Sequence, residues 1–481
     1  MKIVVVGCGP KALAIYAKRC GLKAAGFQVP EITVIEQFDV AANWKGVWQD
    51  DEDKVVGYGF TDGDHPLGTP PEKDIGYPYD SEYKDYGASD IDSYLFQYSW
   101  QSFKIDQGAY ADWMDRGRPA PHHREWARYL AWAGDKLGLR DSVTNPEGYI
   151  NGVVEKVTKR ENRWVVEYAR QDVSDDKKEE IVCDALVFTG PGEPKDIDGQ
   201  TLRIGRELVR RPTVLDGRSF WEGHNIRYLQ SWSAHKTKIA VIGAGETAAA
   251  VICALIKLDT KENWQIDVIS RRGTLYTRGE GYHENRYFSN PGDWAKLPQS
   301  LREELIERTD RGVLSVQAVQ MIAKASTVNC RHGEVASIRW NNQKPILNFK
   351  KELPGSTPKN PQFTLEPETY DFVVVAMGFN PLSIRDYFSD KSDLEPLLAA
   401  ARVETGDEKK ETEDKKKEML RCAERIGEDL SVTGLEPKLY LPMLSGLMQG
   451  PGFPNLSCLG RLSDRILRHS LARLNPGRIK K

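Results

Sequence analysis

Two copies of one sequence pattern constrain the fold of this chain more than any other feature. In each copy an apolar run, mostly β-branched, leads directly into a Gly-x-Gly turn, and an alanine stands where a third glycine often does. The first turn has Gly7 and Gly9, and the second has Gly243 and Gly245. An unbroken apolar run of this length is typical of a strand buried in a parallel sheet. Each copy therefore predicts a strand, a tight turn and a helix whose N-terminus can accept a pyrophosphate.

The residues after the first turn complete one predicted nucleotide site. Pro10 begins the helix, and Glu36 ends the next apolar strand, where a carboxylate can accept hydrogen bonds from a ribose. Trp44 follows shortly after Glu36 and is counted among the cofactor-binding candidates. An acid at this position suits a nucleotide without a 2′-phosphate, so we expect FAD here.

The second copy differs at the tip of its second strand. Glu246 and Thr247 open its helix, and the strand at 266–270 ends in Arg271 and Arg272 rather than in an acid. A carboxylate would repel a 2′-phosphate, whereas a guanidinium can bind it in a bidentate manner. We therefore expect NADPH at this copy. The alternatives are that the glycine turns are ordinary α/β connections and that the arginines are only a solvated strand end.

Composition and charge exclude several function classes. A net charge of −3 over 481 residues argues against binding to nucleic acid or to a membrane surface, which usually needs a basic excess. The first predicted strand starts at residue 2, which leaves no room for a leader, and no apolar stretch is long enough to span a bilayer. The seven cysteines are scattered without metal-binding spacing, so we expect reduced thiols, no metal site and a cytoplasmic protein.

The order of the motifs predicts an α/β fold with two dinucleotide-binding, Rossmann-like domains in three layers. Two further apolar runs, at 184–190 and 370–379, each follow an acid and end in a glycine, so they are interpreted as the strands that return to the first and second sheets. The predicted division is an FAD-binding part at 1–211, an NADPH-binding domain at 212–367, and a return to the FAD domain at 368–481. The last part also carries a small region that caps the substrate.

With these elements in place, the chain resembles the class B flavin monooxygenases that hydroxylate amines. Within that group it is most similar to the lysine N-hydroxylases of mycobactin siderophore biosynthesis. The shared motifs are long and run nearly from end to end; they lie at residues 68–76, 115–121, 243–249, 277–281, 309–313 and 449–460.

The resemblance implies four substrate-binding positions. Lys73 matches the family lysine that binds the substrate carboxylate, and Asn285 and Ser457 match two other residues of the substrate site. Asp310 stands where the ornithine enzymes have a second asparagine, and Gly68 stands where they have an active-site glutamine. These two departures mean that the site of the ornithine enzymes does not transfer unchanged.

The resemblance also implies the chemistry. FAD and NADPH are the expected cofactors, and O2 and a small amine are the expected substrates, with hydroxylation through a C4a-hydroperoxyflavin for siderophore or related hydroxamate biosynthesis. No catalytic side chain is predicted because the flavin carries the chemistry. The side-chain amine of L-lysine is the expected substrate, with ornithine, a diamine or another amine as alternatives, and the chain can be a homo-oligomer.

Other protein classes fit the residues less well. A pyridine-nucleotide disulfide reductase shares the two dinucleotide folds but needs a redox-active cysteine pair, and this sequence has no CxxC. A Baeyer–Villiger oxygenase would carry a Phe-x-Gly-xxx-His fingerprint, which is absent. A non-catalytic nucleotide sensor is the remaining alternative, and the presence of Lys73, Asn285 and Ser457 argues against it.

Overall fold

The computed structural model describes most of the chain. The described residues are 1–45, 49–50, 54–55, 65–79, 81–140, 145, 147–171, 178–197, 213–350, 365–399 and 411–479, with side chains left out at 49–50, 54–55 and 411–416. The predicted boundary at residue 211 lies outside them.

The strands group into two large sheets and several small ones. In chain order they are β1 (Lys2–Val6), β2 (Glu31–Glu36), β3 (Gln49–Asp50), β4 (Lys54–Val55), β5 (Tyr149–Arg160), β6 (Arg163–Arg170), β7 (Lys178–Cys183), β8 (Ala185–Phe188), β9 (Glu193–Pro194), β10 (Val214–Asp216), β11 (Thr237–Ile242), β12 (Trp264–Ser270), β13 (Tyr276–Thr277), β14 (Val313–Leu314), β15 (Val328–His332), β16 (Val335–Asn341), β17 (Lys344–Phe349), β18 (Glu368–Thr369), β19 (Phe372–Val375), β20 (Phe379–Asn380) and β21 (Lys438–Tyr440).

The α-helices vary from one turn to more than four. They are Pro10–Ala24, Ala42–Lys45, Ile91–Phe96, Trp100–Asp106, Tyr110–Asp115, His123–Lys136, Gly223–Gln230, Glu246–Leu258, Tyr282–Ser289, Pro291–Ala295, Gln299–Thr309, Val316–Lys324, Glu395–Leu398, Glu411–Glu424, Gly446–Gln449 and Leu459–Leu474. Within the described part of the chain, none of the helices combines the length and the apolar character needed to cross a membrane.

The first sheet has the order β21-β8-β1-β2-β5-β6-β7. Its first five strands pair in parallel, and β5, β6 and β7 form an antiparallel meander. Alternate residues of β1 face different cores, as a strand in the middle layer requires. Ile3 and Val5 join a core with the helices Pro10–Ala24 and Leu459–Leu474, whereas Val4 joins a core on the opposite face.

The second sheet is entirely parallel, with the order β10-β19-β11-β12-β15. Ile239 and Val241 of β11 pack toward the helix Glu246–Leu258, and Ala240 and Ile242 pack toward the small antiparallel sheet of β16, β17 and β18. The architecture is thus an α/β fold with two parallel-sheet units, as the repeated pattern predicts.

The two units are connected where β9 and β20 pair in an antiparallel manner. β9 follows the return strand β8 of the first sheet, and β20 follows the return strand β19 of the second sheet. β19 lies beyond the predicted domain boundary at residue 367 but belongs to the second sheet. The division of the chain into 1–211, 212–367 and 368–481 stays a prediction.

Candidate active site

In the first glycine turn, Gly7 is required by the backbone conformation, whereas Gly9 leaves an open space beside the helix. Gly7 has a φ of +94°, and a Cβ there would lie 2.7 Å from the Thr189 Oγ1 atom. This position excludes a side chain for structural reasons. A Cβ on Gly9 would meet no atom within 4 Å. The missing side chain of Gly9 therefore leaves free space beside the N-terminus of the helix that begins at Pro10.

Glu36 lies beside this turn at the end of β2. Its Oε2 atom accepts a hydrogen bond from the Cys8 amide at 2.5 Å, and its Oε1 atom accepts one from the Phe38 amide at 2.9 Å. Burial raises the pKa of the Glu36 carboxyl, and the two amides act in the opposite direction. Each oxygen keeps a further lone pair, so the carboxylate can still accept from ribose hydroxyls.

Lys11 is a feature of this turn that the sequence pattern did not single out. The residue is only 8% exposed, and within the described part of the chain its ammonium has no hydrogen bond or ion pair. Burial lowers its pKa to about 8. The positive end of the helix dipole adds to the cost of this charge. An anion at the turn would relieve both effects, so the open space at Gly9, the buried cation and Glu36 together fit the pyrophosphate and ribose of FAD.

Trp44 links the first turn to the second through two histidines. Its ring meets the His123 ring edge-on at 5.0 Å, and the His123 ring meets the His65 ring at 5.2 Å. The His65 Nε2 atom lies 3.9 Å from the Glu246 Oε2 atom. Burial, together with the neighbouring His65 and His122, lowers the pKa of His123 to about 3, so this ring is neutral near pH 7.

The second glycine turn has the same backbone but a different surface. Gly243 has a φ of +135°, and a Cβ there would lie 2.3 Å from the Ala376 carbonyl oxygen. A Cβ on Gly245 would lie 3.6 Å from the Gly312 amide nitrogen, an ordinary contact. A Cβ on Gly217 would lie 2.6 Å from the Thr247 methyl group, so Thr247 packs against the backbone at Gly217.

Glu246 opens the second helix and is held by an arginine. Its Oε1 atom accepts a hydrogen bond from the Arg278 Nη2 atom at 2.7 Å, and the side chain is 34% exposed. Desolvation nevertheless raises the pKa of the Glu246 carboxyl, and Arg278 lowers it. A carboxylate that is accessible and yet surrounded by protein lines a cleft rather than the outer surface.

A group of cations lies near the end of β12. The Arg272 guanidinium donates to the Gly312 carbonyl oxygen at 3.4 Å and lies 5.7 Å from the centre of the Tyr276 ring. Desolvation lowers the pKa of Lys195, and the positive charges of Arg311 and Arg271 lower it further. These four cations fit the 2′-phosphate and pyrophosphate of NADPH. Lys195 and Arg311 were not found from the sequence, since they lie on segments outside the glycine motif.

Lys73 lies where three distant segments of the chain meet. Its Nζ atom donates to the Ser289 Oγ atom at 2.6 Å and lies 5.8 Å from the centre of the Tyr77 ring. The neighbouring Asp74 is buried and accepts hydrogen bonds from the Tyr79 hydroxyl at 2.6 Å and the Trp100 amide at 3.0 Å. Asp74 therefore anchors the loop that presents Lys73.

Asn285 and Ser457 lie on the other two segments, Asn285 exposed on its helix and Ser457 buried. Asn285 lies one turn before Ser289 on the helix Tyr282–Ser289, and its Nδ2 atom donates to the Glu280 carbonyl oxygen at 2.7 Å. Residues four apart share a helix face. Ser457 is buried and precedes Cys458, whose Sγ atom donates to the Phe288 carbonyl oxygen at 2.9 Å.

Asp310 lies beside the second glycine turn, and its part in substrate binding stays a prediction. It follows the helix Gln299–Thr309, and desolvation raises the pKa of its carboxyl, with Arg311 and Arg278 acting in the opposite direction. Its charge also raises the pKa of Glu246. No hydrogen bond or ion pair among the described residues joins it to Lys73.

The departure at Gly68 has a structural counterpart. A Cβ at this position would lie 3.2 Å from the Arg278 Nη1 atom. The guanidinium that holds Glu246 thus occupies the space next to Gly68, where the ornithine enzymes carry a glutamine side chain. A glutamine here would compete with Arg278 for the same volume.

The fold and the two glycine turns are those of a protein that binds two dinucleotides. A family model described as L-lysine 6-monooxygenase/L-ornithine 5-monooxygenase matches residues 95–381. The L-lysine N6-monooxygenase MbtG of Mycobacterium tuberculosis (strain CDC 1551 / Oshkosh) is 37% identical over 469 residues, which cover 97% of this chain and 94% of the relative.

Solved structures agree with this result. The lysine monooxygenase NbtG from Nocardia farcinica has a TM-score of 0.72 and 34% identity, covering 97% of this chain and 99% of that one. The ornithine hydroxylase PvdA from Pseudomonas aeruginosa shares the fold, with a TM-score of 0.65 and 18% identity over 98% and 99% of the two chains. The chain belongs to the lysine/ornithine N-monooxygenase family. It is an NADPH-dependent flavin monooxygenase, with FAD and NADPH as its cofactors.

Proposed function

We propose that this enzyme hydroxylates the side-chain amine of L-lysine, with Lys73 as the partner of the substrate carboxylate. The observation that carries the proposal is the position of the Lys73 ammonium, 2.6 Å from Ser289 and between the loop 65–79, the helix Tyr282–Ser289 and the segment 449–460. The relatives named as lysine monooxygenases support this choice of substrate.

The local electrostatics support binding of an anionic group beside Lys73. Burial lowers the pKa of the Lys73 ammonium, which means that this charge is incompletely solvated and that a carboxylate would stabilise it. Arg461, Lys73 and Arg465 each lower the pKa of the Cys458 thiol, while burial raises it to about 11. The region around Cys458 therefore has a positive potential, which favours an amino acid over a diamine.

The protein's part in the reaction is to bind, orient and desolvate. Bound FAD, once reduced by NADPH, supplies the oxygen activation that amine hydroxylation needs. A lysine side-chain amine has a pKa of about 10.4 in water, and it must be neutral to act as a nucleophile. With the carboxylate held at Lys73, desolvation of the amine end on binding would favour its neutral form.

The first test is a set of amines assayed for hydroxylamine product. L-lysine should give the highest kcat/KM, L-ornithine less, and cadaverine, which lacks a carboxylate, least. Product must be measured directly, because NADPH oxidation without hydroxylation also consumes the coenzyme. A higher kcat/KM for cadaverine or ornithine than for lysine would overturn the substrate proposal without affecting the family assignment.

The cytoplasmic location and the homo-oligomeric state stay predictions. Four exposed apolar side chains on three consecutive short helices support association between copies; they are Phe96, Ile105, Tyr110 and Met114. Light scattering at several protein concentrations measures the state directly, and a monomer at all of them would contradict association.

A further inference from the structure

The end of the helix Tyr282–Ser289 is fixed by the C-terminal segment. A Cβ on Gly452 would lie 1.9 Å from the Phe288 carbonyl oxygen, so only a glycine permits this approach. The same oxygen accepts a hydrogen bond from the Cys458 Sγ atom at 2.9 Å. Two independent contacts thus fix the backbone at Phe288, and with it the direction of the next residue, Ser289.

Ser289 has a hydrogen-bonding capacity that its contact with Lys73 does not exhaust. A serine hydroxyl provides one donor and two acceptor lone pairs. The Lys73 ammonium uses one lone pair. Within the described part of the chain, the Ser289 hydroxyl donates to no group. A half-buried hydroxyl with a free donor, next to an ammonium with further free donors, is well suited to bind both oxygens of a carboxylate.

We propose that Ser289 is a further specificity-determining residue, which donates a hydrogen bond to the substrate carboxylate and holds the Lys73 ammonium beside it. This inference rests on the proposed function, since it assumes that Lys73 binds the carboxylate. Ser289 lies 216 residues from Lys73 in the sequence and is joined to it by the hydrogen bond itself. The position of Asn285 one turn earlier on the same helix face places a second polar side chain toward the same region.

The test compares three variants across two substrates. Ser289→Ala removes both the donor and the acceptor, Ser289→Thr keeps the hydroxyl, and Ser300→Ala removes an exposed serine from a neighbouring helix as a matched control. KM for lysine should rise about tenfold in Ser289→Ala, since a hydrogen bond to a charged group is lost. KM for cadaverine should change much less than KM for lysine, because cadaverine has no carboxylate, and kcat at saturating lysine should fall less than kcat/KM. Ser289→Thr should stay near the parent, and Ser300→Ala should match it.

The double variant Lys73→Ala/Ser289→Ala separates this inference from the proposed function. If the two residues act on one carboxylate, their effects on KM for lysine should be less than additive. A large effect of Lys73→Ala together with an unchanged KM in Ser289→Ala would overturn the role of Ser289 and leave the proposed function standing. No effect of either change would overturn both. Should Ser289→Ala fail to fold, Ser289→Cys keeps the size with a weaker donor, and a parental KM for lysine in that variant would count against the proposal.

Discussion

The two glycine turns share a sequence pattern but present different surfaces to a ligand. At the first turn the space beside Gly9 is open, and the helix carries a buried cation, Lys11. At the second turn the space beside Gly245 is bounded by the Gly312 backbone, and the helix opens with an acid, Glu246. The pattern predicts the backbone of both turns, whereas the chemistry of each surface depends on residues that other segments bring to it.

The charges at the two turns are balanced in opposite ways. The Lys11 ammonium has no partner among the described residues, and an anion bound at the turn would stabilise its charge. The Glu246 carboxylate is already paired with a cation, the Arg278 guanidinium, which comes from the segment after β12. The cations that would bind a phosphate at the second turn lie further out, at the tip of β12. At the first turn the charge that would bind the nucleotide comes from the helix itself, whereas at the second turn it comes from the loops around the helix.

The largest expected effect is at Gly9. Gly9→Val should fold, because its Cβ would meet no protein atom within 4 Å, but it should bind FAD about 100-fold more weakly or worse, since it blocks the hydrogen bonds of the pyrophosphate to the backbone. Flavin content after purification and titration of the apoprotein with FAD measure this. Gly7→Ala is the matched contrast, because its φ of +94° and the nearby Thr189 should impair folding itself. Normal flavin content in Gly9→Val would contradict the assignment of this turn.

A second effect concerns coenzyme choice at the other turn. Replacing both Arg271 and Arg272 by serine should lower the preference for NADPH over NADH by about tenfold to a hundredfold, since charged hydrogen bonds to the 2′-phosphate are lost. The ratio of kcat/KM for the two coenzymes is the measurement. Lys195→Met is the comparison variant. An equal loss of kcat/KM for NADPH and NADH in this variant would indicate that Lys195 contacts the pyrophosphate. Equal use of NADH by the parent enzyme would reject the assignment.

Lys11 and Lys18 sharpen the comparison within one helix. Lys11→Met should weaken FAD binding by about tenfold, through the loss of a charge-assisted contact. The same change should make the apoprotein about 1–3 kcal/mol more stable, because an unpaired buried charge is removed. Lys18 pairs with Asp464 at 2.6 Å and both are buried, so Lys18→Met should instead destabilise by about 3–5 kcal/mol. Denaturant unfolding of the parent and both variant apoproteins measures these changes. A Lys11→Met variant that is less stable than the parent would show that the Lys11 charge is already paired.

Near neutral pH the smallest effect is a pH dependence at His123, between the two turns. Its folded pKa of about 3 lies below the unfolded value of about 6.5, so the unfolded state takes up a proton first as the pH falls. The free energy of unfolding should therefore fall by about 1.4 kcal/mol per pH unit between pH 6.5 and pH 3. His123→Phe keeps an aromatic ring edge against Trp44 and should lose this pH dependence. Parallel pH profiles for the parent and the variant would contradict a buried neutral histidine.

The elements that the sequence predicts best are those that local chemistry determines. Gly7 and Gly243 both have positive φ, as their strand–turn–helix pattern requires. β1 and β11 are buried on both faces, as their apolar runs indicate. Each of these features depends on neighbours within a few residues.

The features that could not be predicted depend on contacts between distant segments. Nothing in the local sequence at Ser289 signals a hydrogen bond to Lys73, 216 residues away. The charged neighbours of Asp310, Arg278 and Arg311, likewise come from the folded arrangement, and its predicted place among the substrate residues stays a prediction. That Lys11 has no partner among the described residues likewise follows from packing around the helix, which a linear pattern does not contain.

The most direct test of the account compares lysine and cadaverine in the parent enzyme and in Lys73→Ala. The parent should hydroxylate lysine with the higher kcat/KM. Lys73→Ala should lose about thirtyfold or more for lysine, since a partly desolvated charge pair is worth about 2–5 kcal/mol, and should be unchanged for cadaverine and for flavin reduction by NADPH. A parent that prefers cadaverine, or a variant that hydroxylates lysine at the parental rate, would contradict the role of Lys73.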